Sequence, residues 1–507
     1  MNCFQIRPHP IPTIFRIDLI GGVAPNLSMS PRRVLLRCPG TLLALLAVLS
    51  SRLECWGKGS EDTRVFAIYF PQFHEDPTNN RLWGRGFTDW DRVRQHAGRV
   101  NRYGNRIPQP GELGYYNLSA TEVRRRQARL AREFGVDGFL YYHYWFGGPG
   151  QGPVLADPLE RMLRDGEPDL PFAFIWANEH WSASWHGAAK PGGTTLIEQL
   201  YPEDSELILA HYRYLRQFFH HKNYIKVDGA PLFMPYRLNR HQYDREILSE
   251  AVAYIRALSA FATGDGFPGL HIPFPALFGE HELYTSHPSA LPPMPSPIDD
   301  AVVFWAYPTL LPNRQIEIPP RCKKRYSVFN DEVPHYLGLT TVFDHSLRRT
   351  WGKAFIWQRE FSRYNATASF ELDLMRALMF ERCCQNPKVR QRGGKFLMIN
   401  AWNEWGEGMA LEPSDVYGYE FLRAIKRAKK VVSEMQCEWS ELRFFEESFA
   451  DSQEINHKSI AKFLRRSVEE LQKVTKGAKR ITPELSSRFK DLVIFSEKVV
   501  LPLIEKE

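Results

Sequence analysis

The chain has 507 residues, enough for one large domain with appendages or for two to three ordinary domains. Its hydrophobic content of 43% excludes general disorder. The net charge of +7 is small for 65 basic and 58 acidic residues, and no basic stripe is interleaved with aromatics, so we expect no nucleic-acid partner. The 13 Trp, 21 Tyr and 33 Phe suit a large core and a sugar-binding cleft equally well.

The cysteines give no indication of a metal centre. Seven are present, far apart except for Cys383 and Cys384, and no CxxC, CxxH or HExxH pattern occurs. The sequence therefore predicts no metal site and no cofactor. The odd number leaves at least one thiol unpaired or paired with another chain, and the disulfide connectivity stays open.

Residues 29–55 have the pattern of a targeting signal. Three arginines precede the nine-residue apolar stretch 41–49, which suits a signal peptide and is short for a membrane span. Either Met29 rather than Met1 is the true start, or the segment is a signal anchor that attaches the chain to a membrane; a buried helix is the alternative. We expect residues 1–63 to be a leader and stem, and the chain to enter the secretory pathway, in the ER or Golgi lumen or outside the cell.

Eight short apolar runs alternate with helical patterns from residue 64 onward. Each run is apolar at consecutive positions, as expected for strands buried on both faces. The runs are Val65–Phe70, Gly138–Trp145, Phe172–Ala177, Pro231–Tyr236, Leu270–Phe278, Ala301–Tyr307, Leu339–Phe343 and Phe396–Ala401.

Three of the intervening segments have clear helical spacing: Ala120–Phe134, Glu203–His220 and Glu246–Ala260. For the first, Ser119 is the predicted N-cap and Gly135 the predicted end. Strands alternating with helices in this way predict an α/β fold, a (β/α)₈ TIM barrel. A doubly wound open sheet is the alternative, although no GxGxxG or Walker pattern follows the first strand.

The C-terminal region differs from the predicted barrel in composition. Residues 433–507 are rich in Lys, Glu and Ser with helical spacing, as in Ile460–Val474. They lack the aromatic clusters of the preceding region. We therefore divide the chain into the leader at 1–63, a catalytic barrel at 64–432 and a helical appendage at 433–507.

Polar and aromatic residues crowd the carboxyl ends of four predicted strands. In a barrel these ends face the same mouth, where the loops that carry active sites converge. The clusters after the first three strands give the candidate substrate-binding residues His74, Tyr142, His143, Trp145, Asn178, Glu179 and Trp181. For His74 and His143, a structural role is the alternative.

The fourth cluster follows the last strand and carries two carboxylates, Glu404 and Glu407, three residues apart. Both can face one pocket if the chain turns between them, and Gly406 eases that turn. Glycosidic chemistry needs two acidic groups with opposite duties, so we predict that this pair is catalytic. In the alternative, Glu407 is solvated or salt-bridged and only Glu404 lines the pocket.

The residues around this pair complete the predicted site. Trp402 and Trp405 offer stacking surfaces and low-dielectric walls, and Asn403 lies between them in the sequence. Glu412 is either a further acid of the pocket or a group that braces the loop. We predict that all four contact the substrate.

The run Asp89-Trp90-Asp91 has the DxD spelling with which metal-dependent glycosyltransferases hold a nucleotide diphosphate. Three letters with a wildcard arise often by chance. The run lies in a loop after Gly84-Arg85-Gly86 and not directly after a buried strand, so it is a weak signal for a nucleotide site.

Several of these motifs together resemble the WbsX-type domain, over about residues 64–430. The motifs are Ala67–His74, Trp83–Thr88, Gly138–Phe146, Trp176–Trp181, Val227–Phe233, Ile399–Gly408 and Leu411–Pro413. That family is labelled a glycosyltransferase of surface-polysaccharide clusters, and it is also grouped with the glycoside hydrolase family 99-like endo-α-mannosidase barrels. The Trp-His-Ile-Glu-Pro run associated with the endo-mannosidases is absent here, so the resemblance implies no mannose specificity.

The resemblance implies separate duties for the two carboxylates. Glu404 matches the base that deprotonates the sugar's own 2-hydroxyl, and Glu407 matches the acid that protonates the leaving oxygen, with retention through an epoxide-like species. The expected function is therefore that of a retaining glycosidase or transglycosylase acting on a glycan. A glycosyltransferase that uses an activated sugar donor, and a non-catalytic glycan-binding barrel, are the alternatives.

Overall fold

The computed structural model describes residues 63–102, 104–183, 194–237, 249–276, 302–306, 335–348, 363–379, 381–382 and 396–434. The predicted targeting segment and almost all of the predicted C-terminal appendage lie outside these ranges. No helix within them is both long and apolar enough to cross a bilayer.

Eight parallel strands form one curled sheet in the order β4-β3-β2-β1-β8-β7-β6-β5. The strands are β1 (Arg64–Tyr69), β2 (Gly138–His143), β3 (Phe172–Trp176), β4 (Phe233–Pro235), β5 (Phe274–Ala276), β6 (Val302–Ala306), β7 (His335–Thr340) and β8 (Phe396–Asn400). Because β1 pairs with both β2 and β8, the first and last strands lie side by side. The protein is thus an α/β protein with a curled parallel half-barrel sheet, which is consistent with a TIM-barrel-like fold.

The two outer strands of this sheet approach each other. Just ahead of β4 and β5, Leu232 and His271 form a parallel bridge. The amide of Phe233 donates to the carbonyl of His271 at 2.9 Å, and the amide of His271 donates to the carbonyl of Pro231 at 2.9 Å. The backbone of one edge is therefore hydrogen-bonded to the other next to the strands.

Helices follow most strands in the described ranges. They are α1 (Pro77–Trp83), α2 (Trp90–Gln95), α3 (Thr121–Phe134), α4 (Asp157–Asp165), α5 (Ser205–Phe219), α6 (Ser249–Gly264), α7 (Arg363–Met379) and α8 (Glu420–Glu434). Short 3₁₀ helices span His345–Leu347 and Trp405–Glu407. Three pairs of short antiparallel strands lie in the loops: Trp181–Ser182 with Thr195–Ile197, Lys226–Val227 with Ala230–Pro231, and Asn403–Glu404 with Met409–Ala410.

The first predicted helix is confirmed as α3, but its predicted cap is wrong. Gly135 ends the helix in the left-handed conformation, with φ 85°, as the sequence indicates. At the other end, Ala120 is the N-cap residue and its side chain makes no capping bond. Ser119 instead donates its hydroxyl to the carboxylate of Asp157 at 2.5 Å, so a tertiary partner replaces the local one.

All eight predicted runs overlap their strands, but the fourth and fifth contain strands of only three residues, and the seventh run is displaced. The predicted run is Leu339–Phe343, whereas β7 begins at His335 and ends at Thr340. His335 and Gly338 interrupt the apolar pattern, which hides the first half of the strand. Residues 341–343 leave the sheet and lead into the segment that completes the candidate site.

Candidate active site

The loop after β8 is fastened to the end of β1 by one side chain. Asn403 accepts a hydrogen bond from the amide of Phe70 at 2.8 Å and donates to the carbonyl of Phe70 at 3.0 Å. Asn403 also donates to the hydroxyl of Tyr116 at 3.2 Å. A buried amide that satisfies both backbone groups of another residue fixes the loop in register, and with it Glu404.

Arg348 bridges the two predicted catalytic carboxylates. Its Nη2 donates to Oε1 of Glu404 at 2.6 Å, and its Nη1 donates to Oε1 of Glu407 at 2.6 Å. Nε2 of His345 is 3.1 Å from Oε1 of Glu407. Arg348 and His345 follow β7, and the amide of Asp344 donates to the carbonyl of Glu407 at 2.8 Å. The loops after β7 and β8 thus form one unit.

Burial and charges of both signs act in opposite directions on the pKa values of the groups in this unit. Burial raises the pKa of Glu404 well above its ordinary value; Arg348 lowers it, while Glu407 and Asp89 raise it further. Burial alone would lower the pKa of Arg348, but the three carboxylates outweigh burial and raise it. Arg348 is therefore a permanent cation, and Glu404 binds a proton more readily than an exposed glutamate does.

Gly406 is needed for close approach. Its φ is not in the left-handed region, so turning alone would not require glycine. A Cβ at this position would lie 2.5 Å from Oδ2 of Asp89 and 2.9 Å from Nη2 of Arg348. The missing side chain lets Asp89 and Arg348 pack against the backbone between the two carboxylates.

An aromatic wall stands beside the carboxylates. The ring of Tyr142, which is partly exposed, meets Phe70 edge-on at 6.3 Å and Tyr236 at 5.9 Å. Tyr144 packs against Trp181 at 5.5 Å. Burial, together with the charge of Glu404 among other contributions, raises the pKa of both Tyr142 and Tyr144, so these phenols stay protonated near Glu404.

An ion pair closes another side of the pocket. Glu179 lies 2.6 Å from Nη2 of Arg237, with side chains 15% and 18% exposed. Asn178 holds this arginine: its Oδ1 accepts from the amide of Arg237 at 2.8 Å, and its Nδ2 donates to the carbonyl of Arg237 and, at 2.9 Å, to the hydroxyl of Tyr201. Burial raises the pKa of Glu179, Arg237 lowers it and Glu407 raises it. The loops after β3 and β4 therefore face the same charge cluster as Glu407.

Glu412 is a brace of the loop rather than an acid of the pocket. One oxygen accepts from the hydroxyl of Tyr116 at 2.9 Å and from Nε1 of Trp405 at 2.8 Å. The other accepts from Nε2 of Gln127 at 2.7 Å. Burial raises the pKa of Glu412 to about 7, against these hydrogen bonds. Of the two roles that the sequence left open, the structural one matches this geometry.

Several other predicted site residues lie apart from the carboxylates. His143 is on the face of β2 that packs on α5, with its Nε2 2.9 Å from Nε2 of His211, and burial lowers its pKa to about 3. Trp145 stacks on His211 at 4.5 Å. His74 is buried, and neither of its ring nitrogens has a hydrogen-bond partner within the described ranges.

The two tryptophans beside the catalytic pair offer no free ring face. Trp402 is 0% exposed and packs on Phe139 at 4.9 Å, and Trp405 is 2% exposed. The partly exposed aromatic surface belongs instead to Tyr142, Tyr236 and Trp181.

Sequence reasoning missed the cation at the centre of the site. Arg348 belongs to no motif, because its partners lie 56 and 59 residues further along the chain. A signal for its neighbour existed: Asp344-His345 follows the seventh run, as the other polar clusters follow theirs. The sequence indicates Asp89 only as part of the Asp89-Trp90-Asp91 run, a weak signal for a nucleotide site. Among the residues that the structure describes, no three His, Cys, Asp or Glu side chains are grouped to hold a metal ion.

The comparisons with known proteins give the family of this chain, which is one of carbohydrate-active enzymes. Residues 65–425 match the family model described as Glycosyltransferase WbsX. This is more than half of the chain, so the chain belongs to that family. The description of that family refers to the transfer of glycosyl groups.

The sequence identity to individual curated relatives is low. A protein named WxcX in two strains of Xanthomonas campestris pv. campestris is 29% identical over 389 residues, which cover 72% of this chain and 49% of the relative. The chain thus spans about half the length of these curated relatives.

Solved structures with a similar fold include a glycoside hydrolase-like protein, with 14% identity and a TM-score of 0.43 over 73% of this chain and 95% of that one. A GH99 endo-alpha-mannosidase from Bacteroides thetaiotaomicron has 13% identity and a TM-score of 0.42 over 76% of this chain and 99% of that one.

Proposed function

We propose that the protein is a retaining glycosidase or transglycosylase in which Glu404 and Glu407 are the catalytic pair. The observation that carries this proposal is the shared guanidinium: both carboxylates bind neighbouring nitrogens of Arg348 at 2.6 Å. Retaining enzymes need two acidic groups close together with opposite duties. The partly exposed ring of Tyr142 beside them suits the C–H face of a sugar.

The roles follow from the family resemblance. Glu404, as a carboxylate, takes the proton of the sugar's 2-hydroxyl; O2 bonds to C1, and the bond from C1 to the leaving oxygen breaks. Glu407, as a carboxylic acid, gives its proton to that oxygen. In the second half, the acceptor hydroxyl gives its proton to Glu407 and bonds to C1. The bond from C1 to O2 breaks, and O2 regains its proton from Glu404. The acceptor is water in hydrolysis and a second sugar in transfer.

The electrostatics of the substrate-free chain bear on these roles. Glu404 is the more buried acid and has a raised pKa, which makes it a stronger base than an exposed glutamate. Arg348 and His345 both contact Oε1 of Glu407. For Glu407 to act as the acid, we propose that substrate binding displaces one of these contacts.

The structure gives no support to a nucleotide-sugar donor at Asp89-Trp90-Asp91. Asp91 accepts a hydrogen bond from the amide of Thr88 at 2.9 Å, whereas Asp89 is buried against Gly406. Two carboxylates with such different surroundings do not form the paired acidic edge that holds a metal and a diphosphate.

We also propose that the curled sheet is a closed (β/α)₈ barrel. The Leu232–His271 bridge, which joins the two edges just ahead of β4 and β5, supports closure. Entry into the secretory pathway and membrane attachment concern residues outside the described ranges and stay predictions.

A screen of oligosaccharides and polysaccharides, read by product mass, tests the function, with Glu404→Gln and Glu407→Gln beside the wild type. Each substitution is expected to lower kcat by at least about 10²-fold, the usual contribution of a general acid or base, while glycan binding persists. Glu371→Gln is the matched control, because Glu371 is also a buried glutamate bonded to an arginine, Arg427, at 2.6 Å. Full activity in either site variant would refute the proposed mechanism.

The two roles separate with an aryl glycoside whose leaving group needs no proton. The variant that lacks the acid regains activity on such a substrate, and the variant that lacks the base does not. We expect recovery in Glu407→Gln only. Recovery in Glu404→Gln only would reverse the roles and leave the catalytic pair intact.

A further inference from the structure

A third carboxylate lies directly against the catalytic loop. Asp89 is the N-cap residue of α2 and is 3% exposed. Its Oδ2 lies 3.8 Å from Nη2 of Arg348, close enough for charge interaction and too far for a hydrogen bond. The same oxygen would be 2.5 Å from a Cβ at Gly406, between the two catalytic residues in the chain.

This oxygen is buried without a hydrogen bond among the described residues. Oδ2 of Asp89 has no hydrogen-bond partner among residues 63–102, 104–183 and the other described ranges. The side chain makes no capping bond to its own helix, so it does not serve the usual purpose of an aspartate at this position. A buried, unsatisfied carboxylate is costly, so the local role of Asp89 does not explain its presence.

The charged groups that face Asp89 come from the segment after β7, the segment after β8 and α2 itself. Arg348 follows β7, Glu404 and Glu407 follow β8, and Arg92 lies one helical turn further along α2. Within about 6 Å, a like charge makes a carboxylate hold its proton more tightly, and an opposite charge has the reverse effect. Three carboxylates therefore share Arg348, whose Nη1 and Nη2 already donate to Glu407 and Glu404.

We propose that Asp89 is a positioning residue of the proposed reaction. Its carboxylate attracts the guanidinium of Arg348 and so keeps it beside the backbone of Gly406. Its negative charge also makes Glu404 hold its proton more tightly. The inference rests on the proposed function of Glu404 and adds a residue that does not touch the substrate. Asp91, the other carboxylate of the motif, acts on Asp89 and not on Glu404; it is about 40% exposed and binds the amide of Thr88.

The proton affinities agree with this geometry. The charge of Asp89 is one of the contributions that raise the pKa of Glu404, after burial and the charge of Glu407. Burial also raises the pKa of Asp89 itself, while Arg348 and Arg92 lower it and Glu407 and Asp91 raise it.

The pH profile of kcat/KM tests the inference with Asp89→Asn, which keeps the shape and removes the charge. If Glu404 acts as a base, its loss of a proton sets the acidic limb of the profile. We expect Asp89→Asn to shift that limb by about 1 pH unit to lower pH, the size of effect that a close charge produces. Asp91→Asn is the matched control and leaves the limb in place. A uniform loss of rate with an unmoved limb would mean that Asp89 is only structural, and would overturn the inference.

A second readout does not depend on turnover. Groups with a raised pKa bind more protons in the folded than in the unfolded state, so the stability they contribute is lost as the pH rises through the folded pKa. Removing the charge of Asp89 should weaken that loss. The Tm of Asp89→Asn minus that of the wild type is therefore expected to increase from about pH 4 to about pH 8.

A Tm difference that does not change with pH would overturn the inference, whether or not a glycan substrate is found. Asp89→Ser, which removes the charge with a smaller side chain, has the same expected trend and serves if the asparagine variant does not fold. Failure of the function itself shows separately, as full activity in Glu404→Gln and Glu407→Gln.

Discussion

Glu404 and Glu412 belong to the same loop after β8 and are almost equally buried, yet their surroundings differ in kind. Glu412 receives three hydrogen bonds from neutral donors, and both of its oxygens are satisfied. Glu404 is bound to Arg348, which it shares with Glu407 and, at a longer distance, with Asp89. Burial is the largest cause that raises the pKa of both.

The difference teaches what distinguishes a reactive buried acid from a structural one. Neutral donors to both oxygens hold Glu412 within the loop. Around Glu404 the negative charges outnumber the hydrogen-bonded cation, and the neighbouring Glu407 and Tyr142 are partly exposed. A carboxylate in that setting changes its protonation readily when a substrate enters.

Removing the cation is the strongest way to break this comparison. Arg348→Met leaves three carboxylates without their buried counter-charge, so we expect the free energy of unfolding to fall by about 3–5 kcal/mol. Glycan turnover should also be lost. Urea titrations near neutral pH measure the effect, and it should shrink at acidic pH, where the carboxylates are protonated.

Arg348→Lys is the matched control, because lysine keeps the charge and loses the two-nitrogen fork. We expect a smaller loss of stability with impaired turnover. A methionine variant as stable as the wild type at neutral pH would contradict the importance given to this cation.

The substitution Glu412→Gln tests the other acid of the comparison, the one bound by neutral donors. It does so through the pH dependence of the free energy of unfolding. The pKa of Glu412 is about 7 in the folded protein and lies near 4.5 for an ordinary glutamate. Because the folded state binds this proton more tightly, the stability that Glu412 contributes is fully present below about pH 4.5, and on the order of 3 kcal/mol of it is lost as the pH rises through 7.

The glutamine variant lacks this titration, so its free energy of unfolding should decline less between these pH values, while glycan turnover persists. Denaturant titrations at several pH values measure both declines. Equal declines in the two proteins would show that Glu412 titrates normally.

The smallest expected effect concerns Gly406, whose missing side chain leaves room for Asp89 and Arg348. In Gly406→Ala the new methyl would overlap Asp89 and Arg348, and overpacking of this kind costs about 1–3 kcal/mol. Displacement of Arg348 should lower kcat by roughly 10-fold or more, since small misplacements are costly in catalysis.

The control for this substitution is Gly264→Ala at the end of α6, where a Cβ would meet nothing within 4 Å. Its stability should stay within about 0.5 kcal/mol of the wild type. Tm and kcat are measured for both variants. Equal values in the two variants would show that the site does not depend on the close approach of Asp89 and Arg348 to Gly406.

Much of the fold follows from the sequence because buried parallel strands are apolar at every position. Phe172–Trp176 is buried throughout and was easy to predict. The start of β7 was not, because Gly338 and His335 break the pattern although the strand pairs on both sides. The pairing with both neighbouring strands is tertiary context, which leaves no local signal.

The candidate site was predictable where one loop carries it and not where several loops meet. Glu404 and Glu407 are close in the sequence, but Arg348 reaches them only because β7 and β8 are neighbours. The placement of His143 was within reach of sequence reasoning. Tyr142 and His143 are consecutive on a strand, and consecutive side chains point to opposite faces, so only one of them can face the pocket.

The bonds of Asn403 to the backbone of Phe70 have a consequence for the order of events during synthesis. These two residues are separated by 333 positions, so the first half of the pocket emerges from the ribosome long before the second. Contacts of such high separation form late in folding. A growing or prematurely ended chain therefore has no paired carboxylates, and the ability to act on glycosidic bonds arises only when the last strand docks beside the first.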